Sequence, residues 1–221
     1  MNIVIFGATG MVGQGVLREA IRDSDVERIV SVVRRTTGQS QSKVQEVVSE
    51  DMSNFAAIEA ELHHLDACLF CLGVSSTGMT EAEYERVTYG ITMAAAETLS
   101  RLNLNMTFVF ISGAGTDSTE RGKTMWARVK GKTENALMRL PFKAVYAFRP
   151  GAIRPMNGEV SRTRSYRLMY SAFAPLWILG DKLSLKFFTT TERLGRAMLR
   201  AAKAGAPKNI LESADINALG A

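Results

Sequence analysis

The chain opens on an apolar run, Asn2–Phe6, that is β-branched, lacks polar alternation and stops at a glycine, the pattern of a strand buried on both faces. Over Met11–Arg22 the apolar positions recur at helical spacing, so that Val12, Val16, Leu17, Ala20 and Ile21 share one face. The exchange then repeats. Short apolar runs predict strands at Arg28–Val33, Val44–Val48, Asp66–Cys71, Thr107–Ile111 and Ala144–Phe148. Periodic stretches predict helices at Asn54–Leu62, Glu81–Arg101 and Thr124–Leu140, and Met93, Ala94 and Ala95 predict a close helix–sheet contact in the second of these. Such alternation predicts an α/β chain, a doubly wound parallel-sheet Rossmann fold with right-handed crossovers. After Pro150 the alternation breaks down, and Ser161–Leu185 predicts a small helical insertion toward the C-terminus, near the active-site end of the sheet. Residues 1–221 are expected to form one domain, with 152–190 as a substrate-side lid or interface insertion.

With 46% apolar residues the chain can bury a full core, which excludes disorder. The N-terminal run has no basic region before it and no small-residue cleavage site, so it reads as a first strand and not as a signal peptide. No stretch approaches 18 continuous apolar residues, and the expected location is cytoplasmic. Cys68 and Cys71 lie along one apolar run with no second ligand pair nearby and read as buried thiols; no metal site is expected. His63 and His64 read as surface residues.

The net charge of +5 conceals an asymmetry, since residues 1–120 carry −8 and residues 121–221 carry +13. A basic half suits a cofactor phosphate, an anionic substrate or an anionic lipid surface, or is simply a solvated face. Nucleic acid is not an expected partner, because the cations are scattered among apolar runs.

The segment Gly7-Ala8-Thr9-Gly10-Met11-Val12-Gly13 follows the first strand and opens the first helix. In that context the glycines have work to do. Gly7 permits the tight turn, Gly10 lets backbone approach a pyrophosphate, and Gly13 lets the helix pack closely on the sheet. The phosphates would rest on free N–H groups of the Thr9–Gly13 turn, where the helix dipole favours negative charge.

The spacing is G-x-x-G-x-x-G. Together with Ser112 ending the fifth strand, Lys130 in the next helix and Arg149-Pro150-Gly151 after the sixth, this turn resembles the atypical short-chain dehydrogenase/reductase family. The likeness covers nearly the whole chain, and within the family it runs to the small branch around the human Tat-interacting protein and its bacterial relatives.

The end of the second strand selects between dinucleotides. NAD-specific sites place a carboxylate there for the ribose 2′-hydroxyl, whereas this chain has Arg34 and Arg35, whose guanidinium forks match a 2′-phosphate. The expected cofactor is therefore NADP(H) in preference to NAD(H). The resemblance further places Asp51 and Met52 at the adenine edge, Leu72 and Gly73 along the adenosine side, and Pro150 and Gly151 in the cofactor site.

The family's chemistry runs on Ser, Tyr and Lys, with Y-x-x-x-K putting the last two on one helix face. The resemblance gives Ser112 and Lys130 these roles, with Lys130 also holding the nicotinamide ribose, but the tyrosine position reads Trp126. Indole N–H can polarise a carbonyl and cannot protonate it. Thr88 stands where the family carries Asn. The missing proton is left to Lys130 itself or to Tyr89, Tyr166 or Tyr170. Tyr166–Leu179, flanked by Arg162, Arg164, Arg167 and Lys182, reads as a pocket lid, a homodimer surface or an interfacial membrane helix. Two functions follow: an NADP(H)-dependent oxidoreductase on a small or medium apolar carbonyl substrate, or a non-catalytic dinucleotide sensor with a protein or membrane partner.

Overall fold

Along the first strand, Ile3 and Ile5 point into one layer and Val4 and Phe6 into the other, all fully buried. This two-sided burial is repeated across the sheet and sets the architecture. A computed structural model describes residues 1–159 and 187–221. In chain order it has β1 (Asn2–Phe6), α1 (Met11–Arg22), β2 (Arg28–Val33), β3 (Val44–Val48), a 3₁₀ segment (Ala56–Leu62), β4 (Ala67–Phe70) and α2 (Glu81–Glu85). A π-helical turn (Arg86–Gly90), α3 (Ile91–Leu102), β5 (Thr107–Ile111), α4 (Met125–Leu137), β6 (Ala144–Arg149) and β7 (Ala152–Arg154) follow. After the undescribed stretch come β8 (Phe188–Thr190), α5 (Thr191–Ala204), β9 (Ile210–Glu212) and α6 (Ser213–Leu219).

Seven strands form a parallel sheet in the order β3-β2-β1-β4-β5-β6-β9. The order reverses between β1 and β4, which opens a crevice at their C-terminal ends, where α/β sheets bind ligands. Register aligns those ends: Phe6 pairs with Phe70, Phe70 with Phe110, and Ile111 with Phe148. Gly7, Cys71, Ser112 and Arg149 therefore leave or end their strands at one edge. One core layer packs Phe6, Phe70, Phe108 and Phe110 against Ala95 and Leu99 of α3. The other packs Ile5, Leu69 and Phe148 against Val16 of α1 and Leu194 and Met198 of α5.

Three expectations change. The single helix Glu81–Arg101 is broken by the π turn at Arg86–Gly90 and runs on to Leu102. Gly90 and the β-branched Val87 and Thr88 are weak helix formers, and a widened turn is common at functional sites. The helix expected at Asn54–Leu62 is 3₁₀, because the Asn54 side chain accepts from the Ala56 N–H (2.9 Å) and holds the start in a turn. Alternation does not end at Pro150: α5 leads to β9, which pairs with β6 through Ala147–Ile210 and Phe148–Leu211. Three residues are too short a strand to announce themselves by pattern. β7 and β8 form a separate parallel pair. The helical insertion expected at Ser161–Leu185, with Tyr166 and Tyr170, lies outside the described residues.

Candidate functional site

The glycine turn is built from two close approaches. Gly7 has a φ of +82°, and a Cβ there would lie 2.6 Å from the Leu72 nitrogen at the end of β4; a Cβ on Gly13 would lie 2.0 Å from the Gly7 carbonyl oxygen. Gly10 differs, since a Cβ there would meet only the Gly7 oxygen, at 3.4 Å, on the side of the cleft. Helix α1 starts at Gly10 with no side-chain cap and no acidic residue in its first turn. Gln14 Nε2 donates to the Thr9 carbonyl (3.0 Å) and holds the turn in place.

This turn forms one wall of a cleft of about 480 Å³, within the range of small-molecule and cofactor sites. Gly10, Met11 and Val12 line it on one side, Leu72 and Gly73 at the end of β4, and Pro150 and Gly151 at the end of β6. Ser112, Trp126 and Lys130 face the same space, and Phe187 closes its rim. The end of β5 is tied to the end of β6 by Ser112 N–H to Phe148 O (2.7 Å) and Ala114 N–H to Pro150 O (2.9 Å).

Among the described residues Lys130 is anchored by one hydrogen bond, from Nζ to the Ile111 carbonyl (3.2 Å), and its Nζ lies 5.4 Å from the centre of the Phe110 ring. Desolvation of the ammonium brings its pKa down to about 8, against the opposing pull of Glu134. Ser112 Oγ lies 3.0 Å from Thr116 Oγ1, which itself donates to the Gly113 carbonyl (2.8 Å). Thr116 has a single proton, so Ser112 is the donor in that pair and must turn to offer its hydrogen to anything else. Trp126 stands against Gly113 and Gly115, whose added Cβ atoms would touch its six-membered ring at 3.9 and 3.6 Å.

A second hollow, of about 710 Å³, lies beside the first and is lined by Thr9, Val33, Arg34, Arg35, Thr36, Thr37 and Glu50. Arg34 and Arg35 are exposed and pair with no carboxylate among the described residues. Glu46 accepts from the Thr36 hydroxyl (2.8 Å) and the Thr37 N–H (2.9 Å), which fixes the loop that follows them.

Asp51 and Met52 line neither hollow. The Asp51 carboxylate accepts from Ser53 N–H (2.8 Å) and Oγ (2.6 Å), bonds that hold its pKa below the usual value, and Met52 is buried in the core. Glu50, one residue earlier, lines the hollow, and no motif or spacing in the sequence marks it. Tyr84 was also passed over; it is 2% exposed and lines the cleft from α2. Tyr89 lies outside the cleft, its ring 4.7 Å from Lys132 Nζ. Thr88 is buried in the π turn, and among the described residues its Oγ1 has no hydrogen-bond partner. Cys68 and Cys71 are free thiols whose pKa values burial pushes up. Among the described residues no three metal-ligating side chains cluster, and no helix is long and apolar enough to cross a membrane.

These residues fit a nicotinamide dinucleotide. The uncapped α1 turn with its bare Gly10 is a cradle for a pyrophosphate, and the Lys130 ammonium, with one acceptor among the described residues, retains N–H groups for ribose hydroxyls. Fold and site together define a dinucleotide-binding protein with the fold of the short-chain dehydrogenase/reductases. The chain belongs to the NAD(P)H-binding family, whose model matches residues 7–140.

Among its relatives, the mitochondrial protein FMP52-2 of Scheffersomyces stipitis is 31% identical over 163 residues, covering 73% of this chain and 69% of its own. The mitochondrial protein fmp52 of Aspergillus niger is 28% identical over 182 residues, covering 79% and 75%. An oxidoreductase of the short-chain dehydrogenase/reductase family from Burkholderia thailandensis superposes with a TM-score of 0.68 at 15% identity, over 98% of this chain and 92% of that one. The Bordetella bronchiseptica enzyme WbmH, solved with NAD⁺, gives 0.66 at 15% identity over 96% and 74%. The expectation of a cytoplasmic location is corrected by these relatives, whose names point to the mitochondrion instead.

Proposed function

We propose that this protein is an NADP(H)-dependent oxidoreductase that reduces a small or medium apolar carbonyl compound, and that it works where its FMP52 relatives are named, in the mitochondrion. The observation that carries the reading is Lys130, a cation kept in a desolvated cleft within one enclosure of Ser112 and the glycine turn. Holding a charge there opposes stability, and a bound dinucleotide gives it a purpose. Gly7, Thr9, Gly10, Met11, Val12 and Gly13 form the phosphate turn, and Leu72, Gly73, Pro150 and Gly151 line the rest of the cofactor's path. When bound, the reduced nicotinamide supplies the hydride. Lys130 holds the ribose, and Ser112 turns from Thr116 to orient the substrate oxygen.

Val74 and Phe187, large apolar residues with 45% and 55% exposure at the cleft, favour an apolar substrate. The whole chain acts as one domain in this reading. The described ends of 152–190 pair as β7 and β8, with Ile153 and Phe187 at the cleft, and a lid, homodimer or membrane role for that segment stays within the same proposal. Arg34 and Arg35 in the second hollow favour a 2′-phosphate. NADPH is expected to bind at least about tenfold tighter than NADH, a difference of roughly 1.4 kcal/mol. Arg34→Asp removes or reverses the preference in calorimetric titration. Equal affinities in the native protein would overturn it.

Trp126 in the tyrosine position favours a second reading, a dinucleotide sensor without turnover. That reading expects NADPH to bind with no oxidation of it by any aldehyde or ketone.

A further inference from the structure

We propose that Lys130 is the acid of this cleft as well as its ribose clamp, giving the substrate oxygen the proton that Trp126 cannot. The proposal rests on the carbonyl-reduction reading. Its first support is position. Lys130 Nζ donates to the Ile111 carbonyl at 3.2 Å, and that carbonyl belongs to the peptide joining Ile111 to Ser112. The ammonium is thereby held one peptide group from the serine that orients the substrate oxygen, and both line the same cleft. An ammonium has three hydrogens. With one on Ile111 and no second acceptor among the described residues, two remain, one for the ribose and one for the carbonyl oxygen.

The second support is the charge around it. Every carboxylate of α2 and α4 has another partner. Arg128 takes Glu81 (2.7 Å), Lys132 pairs with Glu85, the Thr80 N–H donates to Glu83 (2.8 Å), and Arg149 of β6 holds Glu134. β5 carries no charged residue, and Arg86 of the π turn is exposed. Desolvation therefore outweighs the pull of Glu134 and brings the ammonium down to about 8, where a general acid works best near neutral pH.

The third support is chemical elimination among the described lining residues, which include no Asp, Glu or His. Ser112 already gives its proton to Thr116, and Ser75 gives its own to Thr77 Oγ1 (2.9 Å). Aliphatic alcohols are in any case far weaker acids than an ammonium, and burial pushes the Cys71 thiol up. Indole N–H does not ionise near neutral pH. Tyr84 lines the cleft too, but a phenol, ordinarily near 10, is a weaker acid than this ammonium. In the reduction, the carbonyl carbon receives the hydride with its electron pair and the C=O π pair moves onto oxygen. One Nζ–H bond then breaks, its electron pair stays on nitrogen, and a new O–H bond forms on the product alcohol. The neutral amine recovers its proton from water.

The test uses the full-length protein with acetophenone and trifluoroacetophenone as apolar ketone probes. Lys130→Arg keeps a cation for the ribose but removes the acid, because a guanidinium does not deprotonate in proteins. NADPH affinity should stay near native while kcat for acetophenone falls by about 10²- to 10⁴-fold. The deficit should be smaller for trifluoroacetophenone, whose alkoxide is a weaker base and needs the proton less. Should Lys130→Arg fail to fold or to bind NADPH, Lys130→Ala with added primary amines takes its place, and the rescued rate must vary with the amine's pKa. A readout without turnover needs only the native protein. In its non-reacting complex with NADP⁺, the carbonyl stretch of ¹³C-labelled acetophenone should rise as the ammonium loses its proton, at about pH 8. A native kcat in Lys130→Arg, equal deficits for the two ketones, rescue indifferent to amine pKa, or a stretch that does not move with pH overturns Lys130 as donor and leaves the reductase reading standing. If the native protein binds NADPH yet reduces neither ketone nor any other carbonyl compound, the reductase reading fails and the donor role falls with it.

Discussion

Lys130 keeps its charge in a half-buried position on the cleft wall, and the consequence for stability has a definite sign. Its folded-state pKa of about 8 lies below the ordinary lysine value of about 10.4. Below pH 8 the residue is protonated in both states, and the folded state bears the desolvation in full. Between the two values the unfolded chain binds more protons, so stability rises with pH across that window. Lys130→Met should therefore raise the melting temperature at pH 7 and flatten its rise between pH 8 and 10, while abolishing turnover. A variant that melts lower than native at pH 7 would place the ammonium in a stabilising interaction instead. In the native protein, kcat/KM should fall as pH passes about 8 and the free protein loses its ribose-binding cation. Ser112 and Lys130 were legible because each sits at a strand end or a helix position tied to a neighbouring motif. Tyr84 was not. In Glu81-Ala82-Glu83-Tyr84-Glu85 it reads as one buried aromatic on an acidic helix, and only the folded arrangement puts it in the wall of the cleft.

At the level of elements, strands and helices up to Arg149 follow from periodicity, because a parallel sheet buried on both faces needs continuous apolar runs and covering helices need one apolar stripe. Periodicity says nothing about how a helix is fastened to a strand. Arg149 shows the difference. Its Nε and Nη2 donate to Glu134 at 3.0 and 2.5 Å, Nη2 also reaches Ser118 Oγ at 2.5 Å, and Glu134 is 1% exposed. From sequence Glu134 is one more polar residue four positions past Lys130, yet it pins the helix carrying Lys130 to the strand ending at Arg149. Removing one partner of a buried pair leaves an uncompensated charge. Arg149→Met should cost about 3–5 kcal/mol in chemical denaturation, whereas the Arg149→Met/Glu134→Leu double variant should regain most of that. Additive losses in the two single variants would mean the groups do not act as a pair. The π turn and β9 escaped notice for a related reason. One is an extra residue in an otherwise helical pattern, and the other is three residues long, so both are visible only as pairing geometry.

For the molecule as a whole, cofactor binding and folding meet in the glycine turn, and two of its glycines should fail in opposite ways. Gly13 sits where α1 presses on the turn itself, and a methyl group there would lie 2.0 Å from the Gly7 carbonyl oxygen, so neither backbone segment can keep its place. Gly13→Ala should lose roughly 3 kcal/mol or more of stability before any ligand is considered. Gly10 has an ordinary φ of −84°, and its Cβ would have one neighbour, at 3.4 Å, with open cleft beyond. Gly10→Val should keep the fold, with native circular dichroism and a melting temperature within a few degrees of the parent, because its added atoms occupy the space meant for pyrophosphate. Ligand linkage separates the two cases quantitatively. At about 100 times its Kd, NADPH should stabilise the native protein by about 2.7 kcal/mol, which in a chain of 221 residues corresponds to a rise of roughly 5–11 °C in melting temperature. That rise should vanish in Gly10→Val, and in Gly13→Ala the transition should already be shifted down before NADPH is added. A full NADPH-dependent rise in Gly10→Val would move the phosphates away from the start of α1, because no branched side chain at that position leaves room for them.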